Sequence, residues 1–328
     1  MESSDFLQDL LRAKGTVEVQ LILLILQALL WYFIVPIVGK ALKSYIDKKP
    51  YKKQFIELAD KSLRAALKTE FDSLEKSYEY TCLVGGILVQ HSLGGALCFP
   101  SAFGLDFVSS SVAGALARHG ALMEAGWELQ DGLDKFYQVF IKNDWSMNSS
   151  KSLRLIAFHH ATGLSLVIPM NMFYGYNVLY HKGVFLMQGV SAWALFAQYY
   201  AFTLDLSKRF DLVQMKIISV GVFLAMFYGR IIGFICISLE LIPILYSENL
   251  LLLSVAVAVS ILMQSLNYNF ILENYRKMVK YAKMPLPKNS LKKTDNFSGP
   301  TQVVRKLKKS ISQMVLQEEV ALSKKHQS

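Results

Sequence analysis

Residues 19–38 run for twenty positions without a charged side chain. As a helix, that run is long enough to cross a bilayer, whose hydrocarbon core takes about 20 mainly apolar residues. Comparable runs recur at 80–99, 153–173, 183–204, 213–239 and 250–270. The chain is 53% hydrophobic and 18% charged, against averages of roughly 45–50% and 25% for soluble domains, so soluble and disordered classes are excluded. The first eighteen residues mix Glu2, Asp5, Asp9, Arg12, Lys14 and Glu18 and end in no small-residue cleavage site, which predicts that the first run stays as a membrane anchor. Cys82, Cys98 and Cys236 sit in apolar runs without metal-ligand spacing and are expected to pack rather than react.

Sidedness requires one more span. The net charge of +10 is concentrated at 40–76 and 276–325. Six spans would place these two basic segments on opposite sides of the membrane, against the tendency of Lys and Arg to stay cytosolic, whereas seven place them together. The seventh comes from 109–140, a stretch carrying Arg118, His119, Glu124, Glu128, Asp131, Asp134 and Lys135 that hydropathy alone would leave out. An amphipathic helix lying at the interface is the alternative reading of it. The sequence therefore predicts an all-α polytopic membrane bundle with seven transmembrane helices, a lumenal N-terminus and a cytosolic C-terminus. Its expected segments are a lumenal 1–18, a first span at 19–39, a cytosolic amphipathic loop at 40–79, a six-helix membrane core at 80–275 and a basic tail at 276–328.

Within that frame the third span is the informative one, because ionisable groups at membrane depth face a bundle interior or a wet cavity. Glu124, Glu128, Asp131 and Lys135 are spaced four, three and four apart, which puts them on one helical face. From Phe55 to Tyr78 apolar residues recur every three or four positions, predicting one amphipathic helix under the bundle. Beyond Pro287, Val304, Leu307 and Ile311 alternate with Arg305, Lys306 and Lys308 in a pattern suited to an anionic membrane face, and no nucleic-acid-binding fold accompanies these lysines.

Six histidines are too few for the histidine boxes of membrane di-iron enzymes, and no metal site is expected. His159 and His160 stand out as an adjacent pair roughly 10 Å inside the fourth span. Such a pair can supply a general base or nucleophile for acyl transfer, or it can tie the fourth span to the acidic face of the third. Side chains at adjacent positions point about 100° apart, so one would reach a substrate while the other orients it. Arg230, near the middle of the sixth span, needs a partner at that depth. Asp131 is the first choice and Glu128 the second. Gln188, Ser191 and Tyr199 add polar and aromatic groups from the fifth span.

Four short motifs occur in order: GWELQD at 126–131, FHHATG at 158–163, YGR at 228–230 and MQSLNY at 263–268. Together they make residues 80–276 resemble the TLC domain, the membrane domain shared by ceramide synthases, translocon-associated membrane proteins and several lipid-regulatory proteins. The resemblance implies an endoplasmic-reticulum protein in which an intramembrane polar cavity, lined by Arg230, Glu128, Gln188, Ser191 and Tyr199, binds a lipid or acyl chain in lipid homeostasis or trafficking. Its alternative implication is a ceramide-synthase-like N-acyltransferase acting on a sphingoid base. In that version His159 and His160 are catalytic, Asp131 is their orienting carboxylate, and acyl-CoA is a co-substrate with no cofactor. The synthases' His-Asp-x-x-Asp run is absent, since Gln188, Gly189 and Ala192 stand in its place, and the loop at 40–76 holds no homeobox-like insert. The elongase box His-x-x-His-His is likewise broken, with Ile156 at its first position. Membrane lipids and, through the tail, anionic membrane surfaces are the expected partners, with a homodimer left open.

Overall fold

The computed structural model describes residues 3–67, 71, 73–145 and 150–287, and residues Met1–Leu286 form one compact unit. The described residues are helical with no strand. The elements are α1 (Ser3–Arg12), α2 (Val17–Asp47), α3 (Lys52–Leu67), α4 (Leu74–Phe103), α5 (Ser110–Phe136), α6 (Ser150–Tyr174), α7 (Val178–Phe202), α8 (Arg209–Ala225), α9 (Phe234–Glu248) and α10 (Leu250–Lys283). Two π-helical segments interrupt them: Tyr137–Ile141 extends α5, and Met226–Gly233 joins α8 to α9 in one long rod.

Four rods are long and apolar enough to cross a membrane: Val17–Asp47, Leu74–Phe103, Arg209–Glu248 and Leu250–Lys283, with mean hydropathies of 2.6, 1.6, 2.1 and 2.0. The outward face of α2 shows why. Leu21, Ile22, Ile25, Leu26, Leu29, Leu30, Phe33 and Ile37 are all exposed, an apolar stripe far larger than water tolerates on a single helix. The chain is a membrane protein. Helices α5, α6 and α7 are shorter but still long enough to cross a bilayer, and fall short of that hydropathy because they carry inward-facing polar groups such as Glu128, His160, Asn171, His181 and Gln188, all buried. The runs at 153–173 and 183–204, which look like clear spans by eye, are therefore not apolar enough to count on composition alone.

The rods alternate in direction. At one end, Arg118 near the start of α5 donates to the carbonyls of Arg12 (2.8 Å), which closes α1, and Gly175 (2.6 Å), which follows α6. At the other end, Gln54 of α3 donates to the Phe202 carbonyl (3.3 Å) and Lys216 of α8 to those of Ala282 and Met284, at the close of α10. Arg118 and His119, the latter bonded to the Leu11 carbonyl (2.9 Å), thus satisfy the open carbonyls of a helix C-terminus. Neither that role nor α1 itself is part of the expectation for residues 1–18, a lumenal segment of mixed charge.

Helix α4 packs on α2, α3, α5 and α7. Small residues let it come close: a side chain on Gly95 would press on the backbone of Gly189 at 3.1 Å, and one on Gly94 would overlap the Gln188 amide. The helix predicted across residues 55–78 is instead two. Helix α3 ends at Leu67, and α4 starts afresh behind Ser73, whose hydroxyl accepts from the Lys76 amide (3.2 Å). A side-chain cap of this kind outweighs continuing periodicity. Phe55 and Ala59 of α3 do bury against Ile46, Tyr78, Cys82 and Phe202. Cys82 and Cys98 are buried, but Cys236 is exposed on the apolar outer face rather than packed. Helix α10 continues past 270 to Lys283 and stops before Pro285. The basic segment around 304–315 lies outside the described residues.

Candidate functional site

Helix α5 carries Glu124, Glu128, Asp131 and Lys135 on one face into the bundle, and the three carboxylates find different environments. Glu124 accepts from Gln90 Nε2 (2.9 Å) and pairs with His91 Nδ1 (2.9 Å), both on α4. Gln90 also donates to Gln188 Oε1 of α7 (3.3 Å), whose amide nitrogen donates to the Gly120 carbonyl (2.9 Å). Asp131 lies 2.8 Å from His160 Nε2 of α6 and pairs with Lys135 one turn on. An ionised carboxylate only accepts, so Nε2 carries the proton of this bond. Glu128, 2% exposed, sits between these pairs and takes neither. Its Oε1 is 4.0 Å from His160 Nδ1, while its Oε2 and that same Nδ1 are buried without a hydrogen-bond partner.

Two neighbours fix this geometry. Trp127 meets the His160 ring edge-on, with centroids 5.0 Å apart. Gly163, on the next turn of α6, leaves the space that the Glu128 carboxylate fills; a Cβ there would collide with both oxygens. His159 points elsewhere, as adjacent helical positions must. It lines a cavity of about 310 Å³ together with Glu124, Glu128, Thr162 and Gln188. The rest of the wall is mainly apolar: Leu166, Val167 and Met170 of α6, Val184 and Met187 of α7, Leu241 and Leu245 of α9, Leu253 and Val257 of α10. From His159 to Met170 on α6 is eleven residues, so the cavity follows the bundle for roughly 16 Å at about 1.5 Å per residue. Its polar residues gather mostly at the end nearer mid-bundle.

The structure brings Glu128, Asp131, His159, His160 and Gln188 into one neighbourhood. It separates the others. Arg230, 7% exposed, does not line the cavity. Contrary to expectation, no carboxylate pairs with it among the described residues: its guanidinium donates to Asn267 Oδ1 (3.1 Å), to the Met187 carbonyl (2.6 Å) and to Ser191 Oγ. Its own carbonyl accepts from Gln264 (3.0 Å) and Asn267 (3.3 Å). The π-helical segment around it disturbs the helix ladder, so side chains of α10 reach that carbonyl, and neutral acceptors do the work assigned to Asp131 or Glu128. Tyr199 stands near the α3 end, its hydroxyl bonded to the Thr81 carbonyl and its ring against Phe55 and Phe202. Sequence reading missed Gln90 and His91 as partners of Glu124, although two polar residues in the middle of an apolar run at 80–99 are the signal that marks them.

Comparison with protein-family models, with curated proteins and with solved structures finds no match.

Proposed function

We propose that the chain is a seven-span membrane protein of the TLC-domain type whose intramembrane cavity binds a lipid or acyl chain. The cavity carries this reading: an apolar column of roughly 16 Å along α6, about 310 Å³ in volume and closed at its mid-bundle end by Glu124, His159 and Gln188, has the polarity profile of an amphiphile. The order of the four motifs supports the family, and the inward-facing polar groups explain how α5, α6 and α7 span despite their lower hydropathy. In this reading the protein acts in lipid homeostasis or trafficking in the endoplasmic reticulum, with the N-terminus lumenal and the basic C-terminal segment against an anionic cytosolic leaflet.

The test is lipid-resolved mass spectrometry of the protein purified in mild detergent. A long-chain lipid or fatty acid is expected to come with it, and Leu166→Trp, which fills the column without touching its polar end, is expected to reduce retention several-fold in a still-folded protein. Lipid-free wild type, or equal retention in the variant, contradicts the reading. Topology has a separate check. Asn148 and Asn296 head sequons that lie outside the described residues and fall in the cytosol under seven spans. Neither is expected to be glycosylated when the chain is made with microsomes; a glycan shift lost on changing either asparagine contradicts the seven-span arrangement.

One observation favours a second reading, acyl transfer from acyl-CoA to a sphingoid base. The 2.8 Å contact between His160 Nε2 and Asp131 is the contact an orienting carboxylate makes, and His159 beside it faces the cavity. Ceramide formation by the purified protein, lost in His159→Ala with lipid retention intact, is the result that would put this reading first.

A further inference from the structure

We propose that Glu128, His159 and His160 bind a divalent transition-metal ion of the zinc class at the polar end of the cavity. Each of the three offers one donor atom, and these atoms lie within 4.8 Å of one another. Tetrahedral coordination at about 2.0–2.1 Å per bond sets donors roughly 3.3 Å apart, so the side chains need only draw together by about 1 Å or a little more. Two imidazoles and a carboxylate form a zinc-type ligand set with one position left open, whereas Mg²⁺ and Ca²⁺ prefer all-oxygen shells.

Three features of the surroundings point to a ligand rather than to a packed polar core. First, Glu128 Oε2 and His160 Nδ1 have no hydrogen-bond partner among the described residues, although their residues are 2% and 5% exposed. A buried polar atom without a partner costs about 1–3 kcal/mol, and more for a charge, and both atoms belong to residues of the three-donor cluster. Second, His160 donates through Nε2–H to Asp131, which leaves Nδ1 as the ring's acceptor nitrogen, 4.0 Å from Glu128 Oε1. This carboxylate–imidazole bond is the arrangement that orients metal-binding histidines, and Lys135 in turn holds Asp131. Third, Gly163 gives the Glu128 carboxylate its place, and Trp127 fixes the His160 ring. Because Glu128 and His159 line the cavity, the open position faces the cavity, where the oxygen-bearing head of a bound amphiphile would complete the shell. The ion does not depend on the lipid reading, but it competes with the second reading, since a histidine bound to a metal is no free nucleophile.

The experiment uses the full chain carrying a non-histidine tag and purified without chelator, with metal content measured before and after stripping and reloading with ZnCl₂. One zinc per chain is expected in wild type and in His119→Ala, whose ring lies at the far end of α5. Stoichiometric zinc is expected to be lost in Glu128→Gln and His159→Ala. Glu128→Gln keeps the volume over Gly163 and decides the matter if the histidine variant does not fold. Asp131→Asn is expected to weaken zinc binding about 10–100-fold while saturation remains reachable. Co²⁺ substitution adds a signature that a structural role would not produce, visible bands of a tetrahedral site that vanish in Glu128→Gln. Substoichiometric zinc after reloading, or zinc that stays in both Glu128→Gln and His159→Ala, overturns the proposal and leaves lipid retention to be judged on its own test.

Discussion

Asp131→Ala is expected to destabilise the detergent-solubilised protein by about 3–5 kcal/mol, the range for leaving one member of a buried ion pair without its partner. The carboxylate holds two groups at once, Lys135 on its own helix and His160 on α6. The Lys135 and Asp131 side chains are only 12% and 19% exposed, so water does little to replace the contact. Adding Lys135→Met removes the stranded cation and is expected to recover more than half of the loss. The remainder belongs to the His160 N–H left without an acceptor, about 1–3 kcal/mol. Asp131→Asn should fall between, because an amide oxygen still accepts from His160 but does not neutralise Lys135. SDS-induced unfolding of wild type, Asp131→Ala, Lys135→Met and the double variant measures the cycle. Losses that simply add would mean that Asp131 and Lys135 do not depend on each other and that the acidic face of α5 is solvated.

That face was legible in the residues, and the reasons are simple. Spacings of four, three and four survive any detail of packing, so Glu124, Glu128, Asp131 and Lys135 had to share one side of a helix. Four apolar rods were legible too, each as a run long enough to cross a membrane. What the sequence did not disclose was mostly neutral. The link from Glu124 to Gln90 and His91 crosses between helices, and nothing in a single chain says which helices touch. The fresh start of α4 is marked by a serine hydroxyl that caps it, a local contact that a continuing three-four pattern hides. Helix α1 is held by Arg118 and His119, residues that read as the charge burden of a membrane span but serve as donors to carbonyls. A count of six histidines argued against a histidine-box centre, and the proposed metal site would use only two of them with one glutamate.

Arg230→Met is the second large effect, about 3 kcal/mol, and its partners differ from those that charge alone would choose. Hydrogen bonds to a charged group contribute about 1.5–3 kcal/mol each. Arg230 makes them to α7 through Met187 and Ser191 and to α10 through Asn267. Against that loss stands the cost of holding a cation at depth, which methionine relieves, so the net figure is well below the sum of the bonds. Arg230→Lys should rescue little. An ammonium is a single point on a flexible stem and cannot fork to acceptors on two helices, as the planar guanidinium does. Double-mutant cycles separate the two accounts. Arg230→Met should couple to Asn267→Leu by about 1 kcal/mol or more, because the guanidinium donates to the Asn267 amide oxygen, and should add to Asp131→Asn within about 0.3–0.5 kcal/mol. Coupling to Asp131 of similar size, with none to Asn267, would restore the ion pair between α5 and the late span that their charges first suggested. It would also move Arg230 from the junction of α7 and α10 to the acidic face of α5.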